Sequence, residues 1–228
     1  MKEKIHEIKK FREQRHIFAD RSEAGETLGL MLQPEYGHIE DGMILAVPSG
    51  GVPIGIKVKE ALSLPFDLMI VRKLQIPGNP EAGFGAMTLD GTVFFNETLL
   101  TELGLTPTQI EGEKKRVGME LEKRNALFRG GRPFPDLAGK RVILVDDGLA
   151  SGFTMLASVA MAKNAKPEET AVAVPTASQN SIERILPEVD KFYCANVRTG
   201  PFFAVAEAYR NWYDLNEQEV LDILENHR

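Results

Sequence analysis

"VILVDDGLASGFTM", residues 142–155, runs four apolar residues directly into two adjacent carboxylates, Asp146 and Asp147, and then into small and hydroxyl residues. A short apolar run bounded by turn residues reads as a buried strand, and the following "GFTMLASVAMAKNA" (152–165) has helical patterning. The same alternation continues on both sides. "GMILAVP" (42–48) predicts a strand, "VPIGIKVKEAL" (52–62) a helix and "PFDLMIVRK" (65–73) a second strand, a βαβ unit that needs a crossover connection. Downstream, "ETAVAVP" (169–175) predicts a strand, "SQNSIERIL" (178–186) a helix and "DKFYCANV" (190–197) a last strand. The pattern predicts an α/β fold with a doubly wound, mostly parallel sheet.

Other segments decorate that sheet. "GAMTLDGTVFFNE" (85–97) holds two β-prone runs around Asp90-Gly91, a pair suited to a tight hairpin turn. Residues 106–128 predict a long helix, with Thr106 as cap, Pro107 in the first turn and a sparse apolar face of Ile110, Val117, Leu121 and Leu127. "GGRPFPDLAGK" (130–140) reads as a connector, and "NEQEVLDILENHR" (216–228) as an amphipathic surface helix capped by Asn216.

The 228 residues, 43% hydrophobic, suffice for a core, and 27 basic against 33 acidic residues give a net charge of −6. That balance argues against diffuse nucleic-acid binding, so nucleic acid is not an expected partner. The start "MKEKIHEIKKFREQR" (1–15) lacks the apolar core of a signal peptide, and no run reaches the roughly 20 residues of a membrane span. A cytoplasmic protein with no membrane association is expected. Cys194 is the single cysteine, which excludes an intrachain disulfide or a cysteine metal cluster and reads as packing.

In an open α/β sheet, ligands bind outside the carboxyl ends of the strands, where "DDGLASGFT" must fall. Gly148, Ala150 and Gly152 let the backbone wrap closely, Ser151 and Thr154 add hydroxyls, and the next helix begins with unpaired N–H groups. These features make a phosphate cradle. Asp146 and Asp147 repel a phosphate but accept from vicinal hydroxyls, so a sugar phosphate satisfies both halves. A lone acid pair is more often a helix cap, but the whole stretch reverses that preference. Two further elements face the same edge: the Gly-rich turn "VPSGGVPIG" (47–55), which opens a helix, and the cations Arg72 and Lys73, placed at the end of strand two. Neither a Walker A sequence nor a GxGxxG fingerprint occurs.

With those residues in view, "VILVDDGLASGFTM" resembles the phosphoribosyl-pyrophosphate signature of the type I phosphoribosyltransferases, departing at Gly148, where an aliphatic residue is usual. The resemblance implies that Asp146 and Asp147 hold the ribose hydroxyls, and that Gly148, Leu149, Ala150, Ser151, Gly152, Phe153 and Thr154 wrap the 5-phosphate. It implies that the amides of Ser49, Gly50, Gly51 and Val52 bind pyrophosphate, with a cis peptide in that loop, and that Arg72 and Lys73 neutralise the leaving group. It further implies a single domain over 1–228, with a flexible β-hairpin lid at 74–95, a helical arm at 106–128 and a small hood at 198–214. Glu81 is a candidate base within the lid, set against a plain solvated carboxylate. Phe202 and Phe203, or Tyr209 and Trp212, are candidates to stack on a base.

The reaction so implied is Mg²⁺-dependent transfer of a 5-phosphoribosyl group from phosphoribosyl pyrophosphate to a nitrogenous base, in a homodimer. The substrate phosphates carry the Mg²⁺ and no protein metal cage is expected. In 6-oxopurine enzymes an acid commonly follows the pair by three residues; Ala150 stands there, which favours an adenine-like or pyrimidine acceptor. More narrowly, "FADRSEAGETLG" (18–29), "RKLQIPGNPEAGFGAM" (72–87) and "PFFAVAEAYRNW" (201–212) resemble a subgroup of predicted phosphoribosyltransferases with an uncertain acceptor. In the first of these, Asp20 and Arg21 read as a structural ion pair. The alternative is a non-catalytic regulator that senses phosphoribosyl pyrophosphate.

Overall fold

In the computed structural model, which describes residues 4–200 and 202–227 apart from the side chains of Pro80 and Glu81, the opening stretch begins as strand β7, Arg141–Val145. Alternate residues of a strand point to opposite faces. Val142 and Leu144 enter one apolar cluster and Ile143 and Val145 another, all four fully buried, so both faces of the sheet are covered. That explains the unbroken apolar run, since each such side chain gains roughly 1.5–3 kcal/mol on burial.

The main sheet has six parallel strands in the order β1-β9-β8-β7-β2-β3: β1 Ile5–Glu7, β2 Gly42–Ala46, β3 Phe66–Leu68, β8 Glu169–Ser178 and β9 Lys191–Arg198, with β7 central. Helices α1 (Arg21–Tyr36) and α2 (Gly51–Leu62) cover one face. On the other lie α5 (Phe153–Asn164) and α6 (Gln179–Ile185). A separate antiparallel sheet joins β4 (Val71–Ile76), β5 (Asn79–Thr88) and β6 (Val93–Phe95). It packs with α3 (Glu97–Leu103), α4 (Pro107–Arg129) and α7 (Glu217–Asn226) in a third cluster.

Two caps form as read: Thr106 and Gln109 make a reciprocal box at the start of α4, and Asn216 with Glu219 does so for α7. The Asp90-Gly91 turn also forms, with Gly91 at φ +84° and Asp90 Oδ1 accepting from Thr88 Oγ1 at 2.6 Å and Thr92 N at 3.0 Å.

The structure differs from the sequence reading in several places. The strand expected over 65–73 is two strands, β3 in the main sheet and β4 in the small one, because the chain leaves the main sheet after Leu68. Met69 and Ile70 are fully buried at the crossing, so no polar residue marks it. β1, α1 and α3 lie outside the predicted elements. Helix α1 meets α2 through Gly25 and Gly29, four apart: a Cβ on Gly25 would stand 2.7 Å from Lys57 Cβ, and one on Gly29 2.6 Å from Ala61 Cβ. Small residues at that spacing permit a close helix contact without a broad apolar stripe.

The far end of α4 is fixed to the sheet edge by Arg129. Its fully buried guanidinium donates to Asp67 Oδ1 (2.8 Å) and Oδ2 (2.9 Å), to Asn125 Oδ1 (2.8 Å) and to the carbonyls of Arg132 (3.0 Å) and Pro133 (2.8 Å). A buried charge so completely paired is tolerated in the interior.

Candidate functional site

The acids and the Gly-rich turn meet at the carboxyl ends of the neighbouring strands β2 and β7. A Cβ on Gly50 would lie 1.8 Å from Asp147 Oδ2, and one on Gly51 2.7 Å from the Val145 carbonyl and 3.0 Å from Asp146 Cα. Only glycines allow that approach. The Pro48–Ser49 peptide is cis. Of the four amides expected to face an anion, two are engaged inside the turn: Gly51 N–H donates to the Val47 carbonyl (3.0 Å) and Val52 N–H to the Ser49 carbonyl (3.1 Å). The N–H groups of Ser49 and Gly50 have no partner among the described residues.

After the acids, the chain is pinned from below. Leu149 N–H donates to the Thr176 carbonyl (3.0 Å), Ser178 N–H (3.1 Å) and Ser181 Oγ (3.0 Å) donate to the Leu149 carbonyl, and Ser178 Oγ to that of Ala150 (2.8 Å). Leu149 is buried, so it takes part through its backbone. Gly152 stands at φ +81° and begins α5 with no side-chain cap. The N–H groups of Ala150, Ser151, Gly152, Phe153 and Thr154 have no hydrogen-bond partner among the described residues. Arg184 donates to the Ser151 carbonyl and stacks 4.6 Å from the Phe153 ring centre, which brings a cation to this loop. Gly148 has its own reason to be glycine: a Cβ there would meet Val205 Cγ1 at 2.6 Å and Thr176 Cγ2 at 3.0 Å. The hood rests directly on the loop.

Asp146 and Asp147 have different surroundings. Asp146 Oδ1 accepts from the Asp147 N–H at 2.9 Å, and burial, then the neighbouring Asp147 charge, pushes its carboxyl well above the usual range. Asp147 Oδ2 accepts from Arg21 Nε at 2.9 Å; burial raises Asp147 too, with Arg21 opposing the rise. Arg21 is thus not the partner of Asp20, which caps α1 by accepting from the N–H groups of Ser22 and Glu23. Its side chain, 8% exposed, stacks 4.0 Å from the Trp212 ring centre and donates to the Tyr213 carbonyl at 2.9 Å. Tyr209 Oη donates to the Asp147 carbonyl at 2.6 Å, and burial followed by the Asp147 charge holds that phenol well above its usual range.

The expected cations separate. Neighbouring strand residues point to opposite faces. Arg72 Nη2 turns to α4 and donates to Glu120 Oε2 at 3.1 Å, whereas exposed Lys73 lies along Gly83 of β5. Arg124 of α4, which carries no local sequence signal, donates through Nη2 to Ser49 Oγ at 3.2 Å. The hairpin tip docks away from the acids: Asn164 Nδ2, at the last residue of α5, donates to Thr92 Oγ1 at 3.2 Å, roughly 17 Å along that helix from the loop. The segment of the small sheet farthest from this tip is the Pro77-Gly78 turn. The Glu81 side chain lies outside the described residues. Phe202 is 84% exposed and the Phe203 ring stands 6.0 Å from Arg198, so the hood reaches the acids through Val205, Tyr209 and Trp212 rather than through this pair.

A parallel sheet with an acid pair, a glycine-rich turn and an uncapped helix start gathered at one strand-end edge is the arrangement of an α/β domain whose ligand edge lies at the carboxyl ends of its strands. Residues 34–208 match the phosphoribosyl transferase domain family, and the chain belongs to it. It is 32% identical over 209 residues to a Mycobacterium tuberculosis (strain H37Rv) protein named "Putative phosphoribosyl transferase", covering 92% of this chain and 46% of that one. The chain thus spans about half the length of the curated relatives it matches. The crystal structure of TT1426 from Thermus thermophilus superposes with a TM-score of 0.74 at 31% identity, over 92% of this chain and 98% of that one. A hypoxanthine phosphoribosyltransferase from Staphylococcus aureus shares the fold, with a TM-score of 0.51 at 11% identity over 90% of this chain and 88% of that one.

Proposed function

We propose that this chain transfers a 5-phosphoribosyl group from phosphoribosyl pyrophosphate to a nitrogenous base, releasing pyrophosphate in a Mg²⁺-dependent reaction. One observation carries the reading: the carboxylates of Asp146 and Asp147 lie against the Ser49–Val52 turn, and the amides of residues 150–154 that follow them in the chain have no partner among the described residues. In this reading, amides 150–154 hold the 5-phosphate, Asp146 and Asp147 accept from the ribose hydroxyls, and Arg21 orients Asp147. The amides of Ser49 and Gly50 and the Arg72 guanidinium meet the pyrophosphate.

The base nitrogen's lone pair forms the new bond to the anomeric carbon, the electron pair of the breaking C–O bond leaves on pyrophosphate, and the proton of the base passes to solvent or to the departing pyrophosphate. No enzyme nucleophile is required, so the chain acts by positioning and charge stabilisation. In this reading the substrate phosphates held by the turn would carry the Mg²⁺, with the hard oxygen donors of Asp146 and Asp147 beside them. Bound there, Mg²⁺ would neutralise charge on the leaving group.

Ala150 is exposed at the position where 6-oxopurine enzymes resemble one another in carrying an acid, which supports an adenine-like or pyrimidine acceptor. A pyrophosphate-release assay with phosphoribosyl pyrophosphate, Mg²⁺ and a panel of adenine, pyrimidine and 6-oxopurine bases tests the reading. Release with an adenine-like or pyrimidine base is expected, with Asp146→Asn and Asp147→Asn each reducing it by about 100-fold or more. Loss of all Mg²⁺-dependent binding in the native chain would overturn the assignment, whereas binding without turnover for every base would establish the sensor instead.

A further inference from the structure

This inference rests on the reading above, in which the leaving pyrophosphate lies against the Ser49–Val52 turn. Helix α4 carries two inward-facing arginines five residues apart, and they are equipped differently. Arg129 is a structural cation, its donors spent on both Asp67 oxygens, the Asn125 amide and two carbonyls. Arg124, only 12% exposed, has one hydrogen bond among the described residues, from Nη2 to Ser49 Oγ at 3.2 Å. Its nearest carboxylate is Glu217 of α7, 3.6 Å away and 46% exposed, and its guanidinium lies 4.8 Å from the Phe128 ring centre. Glu120, one turn earlier, is shared between Arg72 and Arg116. Arg72 is near enough to repel Arg124, and burial together with that repulsion lowers the Arg124 pKa, against the opposing pull of Glu217 and Glu120.

A largely buried guanidinium that faces an anion-binding turn, repelled by a second guanidinium and lacking a buried carboxylate of its own, is relieved by an arriving polyanion. We propose that Arg124 is a pyrophosphate ligand supplied by the helical arm, forming with Arg72 a two-guanidinium clamp on the leaving group. As the bond from the anomeric carbon to the bridging oxygen breaks, its electron pair moves onto pyrophosphate, and the clamp meets the charge that develops there. The Arg129–Asp67 anchor keeps α4 in register, so that Arg124 is presented without a rearrangement of the helix. The long arm then has a chemical role: it delivers to the Ser49 turn a cation that the turn itself lacks.

The test is calorimetric titration of the full chain with inorganic pyrophosphate plus Mg²⁺ and, separately, with ribose 5-phosphate. Arg124→Gln is expected to weaken pyrophosphate binding about 10- to 100-fold, the range for losing a charge-assisted hydrogen bond, while ribose 5-phosphate affinity stays within about twofold. Arg124→Lys, which keeps the charge without the fork, should recover part of the loss. Glu217→Gln, which removes the carboxylate nearest Arg124, should tighten pyrophosphate binding by about two- to fivefold. Unchanged pyrophosphate affinity in Arg124→Gln, or a parallel loss of both ligands, would overturn the assignment. If the native chain binds neither ligand, the functional reading itself fails, an outcome distinct from either.

Discussion

Asp147 Oδ2 accepts from a buried guanidinium, whereas Asp146 Oδ1 has the Asp147 N–H and, beside it, a second carboxylate. Because burial and Asp147 push the Asp146 carboxyl up, the folded state favours its protonated form. Below the usual aspartate range, at about pH 3, Asp146 is protonated folded or unfolded and costs nothing. As pH rises through the elevated pKa, the folded state must carry the charge and stability falls. Asp146→Asn, which keeps an oxygen for the Asp147 N–H, is therefore expected to stabilise the ligand-free chain at pH 7 by about 1 kcal/mol, or about 2–4 °C in Tm for a chain of this size. Melting curves at pH 7 and about pH 3 check this: the gain should vanish at the lower pH, and a variant that melts lower than the native chain at pH 7 would contradict it. The acids were legible in the sequence because strand, charges and small residues are contiguous. Arg21 and Arg124 were not, since their contacts lie 126 and 75 residues away and only tertiary packing brings them in.

At the scale of elements, legibility follows whether the signal is local. Helix α4 was readable because Thr106, Pro107 and Gln109 build its cap from neighbours in sequence, and the Asp90-Gly91 turn because its backbone angles select those residues. Helix α1 was hidden: its packing runs through Gly25 and Gly29, residues that lower helix propensity, and Pro34 lies inside it. The division of β3 from β4 was hidden because both flanks of the crossing are apolar. Gly148 belongs to this scale as well, since the hood and the signature loop share the space its missing side chain leaves. Gly148→Ala should cost about 1–3 kcal/mol by driving a Cβ into Val205. Val205→Ala in the same chain should restore most of that loss. A double-mutant cycle in Tm reads it out, and simple additivity of the two losses would show that the hood does not bear on the loop.

In the whole molecule, one side chain joins three parts that are remote in sequence: Arg21 starts α1, pairs with Asp147 at the end of β7, and stacks on Trp212 while donating to Tyr213 in the hood. The hood is itself tied to the segment before α1, with Phe18 N–H donating to the Ala208 carbonyl at 3.0 Å and Arg210 N–H to the Phe18 carbonyl at 2.8 Å. Arg21→Gln breaks a largely buried pair and leaves Asp147 without its cation, a change expected to cost about 3–5 kcal/mol at pH 7. The pH dependence separates the contributions. Without Arg21 to oppose burial, the Asp147 carboxyl rises further, so the deficit is greatest where Asp147 must be ionised and shrinks as pH falls below the usual aspartate range. What persists near pH 3 is the lost stacking on Trp212, about 0.5–2 kcal/mol, and the lost bond to the Tyr213 carbonyl. Arg21→Gln combined with Asp147→Asn should accordingly recover several degrees of Tm at pH 7 over Arg21→Gln alone, and little at about pH 3. A deficit in Arg21→Gln that stays constant across that range would mean that Arg21 acts only by packing the hood and not by holding the charge of Asp147.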